Sequence, residues 1–282
     1  MIQIILIFVK DNFMLKIISS LMAEHRIELF GALKLDDCKI TKPYLLKNNN
    51  IASGTAIIFA VPYLSRSATG GNISEYAKAR DYHLFFKLFS DDIIPRLRSA
   101  FPENNFAVFS DHSPIDEIEA AAKCGIGIIG KHGLLITERY SSFVFIGEII
   151  TDLKLECQPS KIKTCEGCGL CERECPVFLC KSECLSAVTQ KKGDLSDSDI
   201  ELMTKHSTIW GCDICQKACI HTKRCIQNGT IYSEIPFFNQ ELTPEITYEL
   251  IQNMSDEEFS CRAYSWRGRQ TILRNLMAVY KK

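Results

Sequence analysis

Cysteines are the residues of this chain with the clearest capacity for chemistry. The chain has 14 cysteines in 282 residues, and nine of them lie between residues 165 and 219. Cys165, Cys168, Cys171 and Cys175 follow the spacing C-x2-C-x2-C-x3-C, and Pro176 comes directly after the last. In bacterial ferredoxins this spacing lets three thiolates bind one 4Fe-4S cluster while the fourth reaches a second cluster. A structural zinc site would need only two C-x2-C pairs, so the pattern predicts iron-sulfur clusters.

A second, less regular set of cysteines must complete the two clusters. Two 4Fe-4S clusters need about eight thiolates, and the first run supplies four of them. Crossed ligation predicts one cluster on Cys165, Cys168, Cys171 and Cys219. It predicts the other cluster on Cys175, Cys212, Cys215 and either Cys184 or Cys180. The remaining cysteines are isolated in sequence, and we interpret them as buried or unligated thiols: Cys38, Cys124, Cys157, Cys225 and Cys261.

Composition and charge restrict the compartment and the class of partner. Disulfide frameworks belong to small secreted domains, and this sequence has no secretory signal, so the thiols indicate a reducing, cytoplasmic environment. The net charge of −1 and the pI of about 6.6 provide no global field toward nucleic acid or an anionic membrane. The apolar residues 1–9 are too few to span a bilayer. We interpret them as a first strand or as sequence upstream of a start at Met14.

Hydrophobic periodicity predicts the elements that position these residues. Apolar residues at helical spacing predict helices over 14–25, 76–97 and 268–280. Apolar runs predict strands over 55–64, 106–109, 134–137 and 143–151, with a loop over 65–72. The pattern Ser113-Pro114-Ile115-Asp116 predicts a helix over 114–123 with Ser113 as its N-cap. Helices and strands alternate up to about residue 152, where we expect the first domain to end.

Several separated stretches together resemble the epoxyqueuosine reductase family and its iron-sulfur, cobalamin-dependent relatives. In the N-terminal half they are AIIFAVPYL from Ala56, YAKARDYH from Tyr76, SDHSPIDE from Ser110, GIGIIGKHGLLI from Gly125 and SSFVFIGEIITDL from Ser141. In the C-terminal half they are CEGCGLCERECP, CLSAVTQKKG, WGCDICQKAC and RGRQTILRNLMAV, in the order that the family has. The matches extend from Ala56 to the predicted C-terminal helix. So many motifs in the same order as in the family are not expected by chance.

The resemblance implies an α+β protein in three parts. These are a nitroreductase-like α/β domain for cobalamin and substrate over residues 1–155, a ferredoxin-like double 4Fe-4S domain over 156–228, and a short helical C-terminus over 229–282. It implies that Asp111 donates a proton, and that Cys184 rather than Cys180 completes the second cluster. It also implies corrin contacts from Asp111, Gly130, Lys131, His132, Leu135 and Ile146. Independently, Asp111 is predicted between a strand and a helix N-terminus, where ligands bind in open α/β sheets.

The implied activity is an oxidoreductase in which two 4Fe-4S clusters supply electrons to a cobalamin that reduces epoxyqueuosine in transfer RNA. The implied partners are transfer RNA and an electron donor such as ferredoxin or flavodoxin, and we expect a cytoplasmic monomer without membrane contact. The chain resembles a short member that lacks the family's helical-repeat tail. Two alternatives are a reductase of the same build acting on a small molecule and a non-catalytic electron carrier.

The C-terminal segment is basic. Residues 261–282 contain six Lys or Arg and no acidic residue. This composition is compatible with a patch that contacts phosphates or with a solvated helix face.

Overall fold

The structure is a computed structural model, and it describes residues 13–68 and 70–280. The prediction for residues 1–9 therefore lies outside the described residues. The chain forms two units, of which the first comprises Met1–Pro62 and Phe85–Gly167 and the second Tyr63–Leu84 and Cys168–Lys282. The three predicted domains are continuous in sequence, whereas these units are not, because residues 63–84 belong with the cysteine-rich part.

The first unit contains a four-stranded sheet, a small two-stranded sheet and helices. Its elements are α1 (Phe13–Glu24), β1 (Leu29–Lys34), α2 (Pro43–Asn48), β2 (Thr55–Pro62), α3 (Tyr82–Ala100, of which Tyr82–Leu84 are counted with the second unit), β3 (Phe106–Phe109), α4 (Glu117–Lys123), β4 (Ile128–Ile129), β5 (Leu135–Ile136) and β6 (Val144–Thr151). A 3-10 turn follows β1 at Leu35–Asp37. The predicted strands over 55–64 and 106–109 are confirmed within two residues, and β2 stops at its proline.

The main sheet is antiparallel throughout, in the order β1-β2-β6-β3. All eight residues of β2 are buried, which explains why its sequence is a continuous apolar run without alternation. The two strands β4 and β5 form a separate small sheet. The rule that ligands bind at the strand ends of open α/β sheets concerns parallel strands, so it does not apply to Asp111 here.

Helix α4 begins three residues later than predicted, and its N-cap is Asp116 rather than Ser113. The Asp116 side chain accepts the amide of Glu119. The residues before it remain extended because Ile115 forms a β-bridge with Ile40 and the Pro114 carbonyl accepts the amide of Thr41. The Ser113 hydroxyl accepts the amide of Ile115 instead of capping the helix. A local capping pattern is thus overridden by pairing with a distant segment.

Helix α3 begins at Tyr82, six residues after the predicted start. The Asp81 carboxylate accepts the amide of His83 and thereby provides a local N-terminal hydrogen bond. Residues Glu75–Ala77 form a 3-10 turn instead of the first turn of this helix. Buried Lys78 fixes that turn through an ion pair with Glu75, with a nitrogen–oxygen distance of 2.7 Å.

The second unit is helical. Its α-helices are α5 (Leu170–Glu174), α6 (Leu185–Thr189), α7 (Asp197–Lys205), α8 (Ile214–Ala218), α9 (Ile220–Gln227), α10 (Tyr248–Asn253), α11 (Asp256–Ser260) and α12 (Arg269–Tyr280). Its 3-10 turns are Glu75–Ala77, Lys181–Glu183, Pro236–Asn239 and Ser265–Arg267. Fully buried Trp210 and Tyr264 lie in its core, and the Trp210 indole donates to the Tyr76 hydroxyl at 2.8 Å. The predicted C-terminal helix is confirmed to within one residue.

Asn275 connects helix α12 to the part of the second unit that carries the cysteines. Its side chain is fully buried, and its amide nitrogen donates to the carbonyls of Thr189 at 2.7 Å and Ile209 at 2.9 Å. Replacing Asn275 by alanine would leave both carbonyls buried without this donor. We expect Asn275→Ala to lower the free energy of unfolding by roughly 2–3 kcal/mol, measured by urea denaturation.

The control for this change is Gln270→Ala, because Gln270 lies on the same helix and is exposed. Its effect should stay within about 0.5 kcal/mol. Equal effects of the two substitutions would contradict the role given to Asn275.

No helix within residues 13–68 and 70–280 combines the length and the apolar composition needed to cross a membrane.

Candidate redox site

Two short helices of the second unit carry four of the predicted cluster ligands. Cys171 lies in α5 and Cys175 follows that helix, while Cys215 lies in α8 and Cys219 follows it. The two helices pack against each other. Cys171 and Cys219 are buried, whereas Cys175 and Cys215 are half-buried. The helix packing therefore brings together cysteines that are far apart in sequence.

Four half-buried thiols of the second unit lie close to one another: Cys175, Cys184, Cys212 and Cys215. Burial is the main reason that the pKa of Cys215 is raised to about 12, and the thiols of Cys212, Cys175 and Cys184 raise it further. Burial likewise raises the pKa of Cys212 to about 11, with Cys184 and Cys175 among its charged neighbours. Burial and mutual repulsion oppose four thiolates at one place unless cations neutralise them. This donor set therefore fits a 4Fe-4S cluster, whose irons bind the sulfurs.

Cys180 and Cys184 have different surroundings. Cys184 acts electrostatically on both Cys212 and Cys215. Cys180 is exposed, and its sulfur lies 3.2 Å from the hydroxyl oxygen of Ser182. Of the two candidates that spacing alone leaves open, Cys184 is the one near the other three thiols. The assignment of all eight ligands stays a prediction.

In the first unit, Cys165 is contacted by the turn between β4 and β5. The backbone amide of Lys131 donates to the Cys165 sulfur at 3.2 Å. Amide donors to ligand sulfurs are one of the ways in which proteins tune iron-sulfur potentials.

Among the described residues, no three His, Cys, Asp or Glu are grouped as ligands of a single metal ion. In a 4Fe-4S cluster each thiolate binds a different iron, so the four sulfurs need not be grouped in that way.

A buried polar network surrounds the segment Cys212–Cys215, and sequence reasoning missed it. Asp213, which is 5% exposed, accepts the Ser74 hydroxyl at 2.5 Å and the Glu75 amide at 2.7 Å. The Glu75 carboxylate is also paired with the ammonium groups of Lys78 and Lys217, each at 2.7 Å. These contacts explain why residues 63–84 belong to the second unit. A buried carboxylate is tolerated here because it is paired and hydrogen-bonded.

Asp111 lies in an unusual turn directly after β3. Its φ angle is +64°, and the amide of His112 donates to the carbonyl of Ser110 at 2.6 Å. A γ-turn with a positive φ at its central residue is rare and strained, at a cost of about 1–3 kcal/mol. The Ser110 hydroxyl donates to the carbonyl of Ile146 on β6 at 2.9 Å, which holds the turn to the sheet. Asp111 itself is exposed. Strained backbone of this kind is concentrated at functional sites.

Two acidic residues that sequence reasoning missed lie behind this turn. The Glu117 carboxylate accepts the Asp111 amide at 2.7 Å. Glu148, in the middle of β6, is fully buried, and its carboxyl group faces that of Glu117. Burial raises the pKa of Glu117 to about 6 and that of Glu148 well above its ordinary value. The sequence signal was a single acid inside the apolar run FIGEIIT, in a strand that is buried on both faces.

The residues that the resemblance assigned to a corrin all lie in the first unit, in its two sheets and the loops beside them. Gly130, Lys131 and His132 form the turn between β4 and β5, whose amides at Gly130 and Gly133 bond within the turn. Leu135 is 3% exposed and packs in the core, so it offers almost no surface to a ligand in this structure. Ile146 is half-buried, as are three other apolar residues at the edge of this core: Leu29, Phe109 and Val144. An incompletely covered apolar edge beside exposed Asp111 fits a flat apolar macrocycle such as a corrin.

The isolated cysteines are mainly structural. Cys38, Cys124, Cys157 and Cys225 are buried, Cys261 is half-buried, and none of the 14 cysteines, all of which are described, forms a disulfide. Burial raises the pKa of Cys38 to about 12 and that of Cys157 above its ordinary value. Thiols in such surroundings are poor nucleophiles.

The basic C-terminal segment is largely occupied by contacts within the second unit. Arg262 donates to the Glu241 carbonyl at 2.7 Å, Arg269 pairs with Asp256 at 2.8 Å, and Arg274 donates to the Lys191 carbonyl at 2.9 Å. Arg267 stacks on Trp266, which is 58% exposed. The segment therefore holds the C-terminal helices together more than it forms a phosphate-binding face. Residues 281 and 282 are outside the described part.

Comparison with known proteins gives relatives of one kind. No family model matches the chain. An epoxyqueuosine reductase of Listeria monocytogenes is 30% identical over 236 residues, which are 78% of this chain and 60% of that protein. The chain spans about 60% of the length of the first curated relatives that it matches.

Solved structures agree in fold. The structure of epoxyqueuosine reductase from Streptococcus thermophilus superposes with a TM-score of 0.76 at 23% identity, over 95% of this chain and 81% of that one. A crystal structure of epoxyqueuosine reductase with an epoxyqueuosine-modified tRNA-Tyr stem loop superposes with a TM-score of 0.74 at 21% identity, over 94% of this chain and 81% of that one. The chain therefore has the mixed α and β fold of these proteins.

Proposed function

Because the chain belongs to the epoxyqueuosine reductase family, we propose that it is an iron-sulfur oxidoreductase that reduces epoxyqueuosine in transfer RNA. The observation that carries this proposal is the grouping of Cys175, Cys184, Cys212 and Cys215 within the second unit. Four thiols that repel one another as thiolates are suited to one cluster. Cys165, Cys168, Cys171 and Cys219 are proposed for the other cluster, in a ferredoxin-like arrangement over residues 156–228.

The first unit supplies the proposed catalytic groups in a nitroreductase-like arrangement. When bound, cobalamin would supply a redox-active cobalt centre that accepts electrons from the clusters. The apolar edge at Ile146 and the backbone of the turn at Gly130–His132 are proposed to hold the corrin. Asp111 is proposed to donate the proton that the reduced substrate requires, since it is exposed and its strained turn fixes its backbone.

Transfer RNA is the proposed substrate because a relative of the same fold has been solved with an epoxyqueuosine-modified stem loop. The chain matches only about 60% of its first curated relatives, so the surface that would hold the RNA is also a proposal. The stacked pair Trp266 and Arg267 is the described part of the basic segment best suited to contact a base.

The experiment that tests this function uses the full chain purified anaerobically with cobalamin and a chemical reductant. Incubation with an epoxyqueuosine-modified stem loop should yield queuosine, measured by mass spectrometry of the digested RNA. About eight irons per chain should be present. Intact clusters and bound corrinoid without turnover on RNA would contradict the proposal.

The same preparation separates the two alternatives. A reductase for small molecules would convert the free epoxyqueuosine nucleoside as fast as the stem loop. An electron carrier would hold reducible clusters but no corrinoid.

A further inference from the structure

The turn that carries Asp111 is held by a hydrogen bond from outside the turn. Glu117, the first residue of α4, accepts the Asp111 amide at 2.7 Å. Asp111 adopts the left-handed conformation, which an L-residue keeps only where the surroundings stabilise it. The bond is stronger when the acceptor is an ionised carboxylate. The protonation state of Glu117 therefore controls how firmly the turn is held.

Glu148 lies behind Glu117, where two charged carboxylates are not tolerated. It is fully buried on β6, opposite Ile58 and Phe109. Neither of its oxygens makes a hydrogen bond of ordinary geometry with a described residue, and the polar side chains that act on it are the Glu117 carboxyl and the Ser113 hydroxyl. Burial and the adjacent Glu117 carboxyl both raise the pKa of Glu148. A single charge on the pair is therefore favoured, with the proton on fully buried Glu148 and the charge on Glu117.

The other charged or titratable groups that face this pair come from several elements. Lys42, which precedes α2, faces Glu117 and lies 3.3 Å from a ring nitrogen of His112. Asp111 faces Glu117 from the loop after β3. Cys38 faces Glu148 from the segment after β1. Burial is the largest effect and opposes the charged form of Glu117, as does the Asp111 carboxylate. The bond from the Asp111 amide, the Glu148 carboxyl and Lys42 favour the charged form.

We propose that Glu117, supported by buried Glu148, is a positioning residue that holds the strained Asp111 turn in the conformation needed for proton donation. The inference rests on the proposed role of Asp111, since the turn has to be held only if that aspartate acts. Glu117 touches the backbone of Asp111 and acts through it. Glu148 keeps its proton and so leaves the single negative charge on the group that accepts the amide.

The first test follows the Asp111 amide and does not depend on activity. Hydrogen exchange is measured by mass spectrometry on peptides covering residues 106–116 of the full chain, after correction for intrinsic rates. Glu117→Gln should exchange roughly tenfold faster than the unmodified protein at pH 7.5, because a charge-assisted bond becomes a neutral one. The control is Glu119→Gln, which removes the same charge from the same helix. Glu119 pairs with Lys123 and does not contact the Asp111 amide. Equal protection in Glu117→Gln and Glu119→Gln would overturn the proposal.

The second test uses pH and Glu148→Gln, which keeps the shape of the side chain. The folded-state pKa of Glu148 lies above 4.5, so between 4.5 and that value the folded chain keeps a proton that the unfolded chain releases. Stability from this group is therefore full below about pH 4.5 and declines as the pH rises. The unfolding midpoint of Glu148→Gln should decline less between pH 5 and 8 than that of the unmodified protein. An identical decline would show that Glu148 does not hold an extra proton in the folded chain, and would overturn its part in the proposal.

The kinetic test separates this inference from the proposed function. Glu117→Gln should lower kcat roughly tenfold with little change in KM, and should remove the fall in kcat below pH of about 6 that Glu117 imposes. If Asp111→Asn is fully active, the proposed function of Asp111 fails, although the exchange result can still hold. If Asp111→Asn is inactive while Glu117→Gln keeps both its kcat and its pH profile, only the positioning role fails.

Discussion

Replacing Cys184 by alanine should reduce the iron bound per chain from about eight ions to about four, whereas replacing Cys180 should leave the iron content unchanged. The two cysteines lie close together in sequence, so the pair is a matched test within one segment. Cys184 lies near Cys175, Cys212 and Cys215, while exposed Cys180 contacts Ser182. Iron and acid-labile sulfide are quantified on anaerobically purified protein, together with the electronic absorption of the clusters.

The loss of one cluster should interrupt electron supply completely. Turnover of an epoxyqueuosine stem loop should therefore fall at least about 100-fold in Cys184→Ala, while Cys180→Ala stays within about twofold of the unmodified protein. Cys215→Ala should behave as Cys184→Ala does, since both thiols belong to the same predicted set. Loss of iron from Cys180→Ala with full iron in Cys184→Ala would reverse the assignment. Stoichiometric zinc in the unmodified protein would remove the basis for both predictions.

Sequence reasoning worked best where the signal is local. The spacing from Cys165 to Cys175 is also a local signal, because cluster geometry restricts how closely ligands on one segment can be spaced, and the ligands it indicates stay a prediction. Strand β2 was predicted because a strand buried on both faces needs an unbroken apolar run, and β3 was predicted from a shorter apolar run. Helix α12 was predicted because its apolar residues recur at helical spacing up to Tyr280.

Sequence reasoning failed where residues far apart in the chain decide the local structure. The start of α4 was misplaced because a bridge between Ile40 and Ile115 keeps the residues before Asp116 extended. The start of α3 was misplaced because Lys78 and Glu75 are used in a buried network around Asp213. The sequence also did not reveal that residues 63–84 join the second unit. Each of these outcomes depends on pairing between distant segments of the chain, and no local pattern encodes it.

The candidate site was predicted in part. The resemblance pointed to Asp111, but the strained turn that holds it was not visible in the sequence. Glu148 was missed because an acid in a strand is ordinarily expected to face water, and only the burial of both faces of β6 marks it as exceptional. The single acid within an apolar run is a usable signal for such residues.

Asp111→Asn should lower kcat by at least about 100-fold while leaving the protein folded and its iron content unchanged. A positioned general acid contributes about 10²–10⁴-fold to the rate, so kcat should fall within that range. Asparagine adopts the left-handed conformation at least as readily as aspartate, so the turn at φ +64° should persist. The backbone amide, and hence its bond to Glu117, is unaffected by the change. The substitution therefore removes the acidity of the side chain while keeping its size and the turn. Single-turnover assays on the stem loop measure the effect, with iron content determined on the same sample.

The matched control is Asp116→Asn, a little further along the same segment. Asp116 caps α4 and pairs with Lys39, and asparagine caps helices as well as aspartate does. Its kcat should remain within about twofold of the unmodified value, because only a surface ion pair is lost. KM should change little in Asp111→Asn if the aspartate acts in the chemical step, since uniform binding is then retained. A rise in KM with unchanged kcat would instead make Asp111 a binding residue, and the proton would have to come from another group.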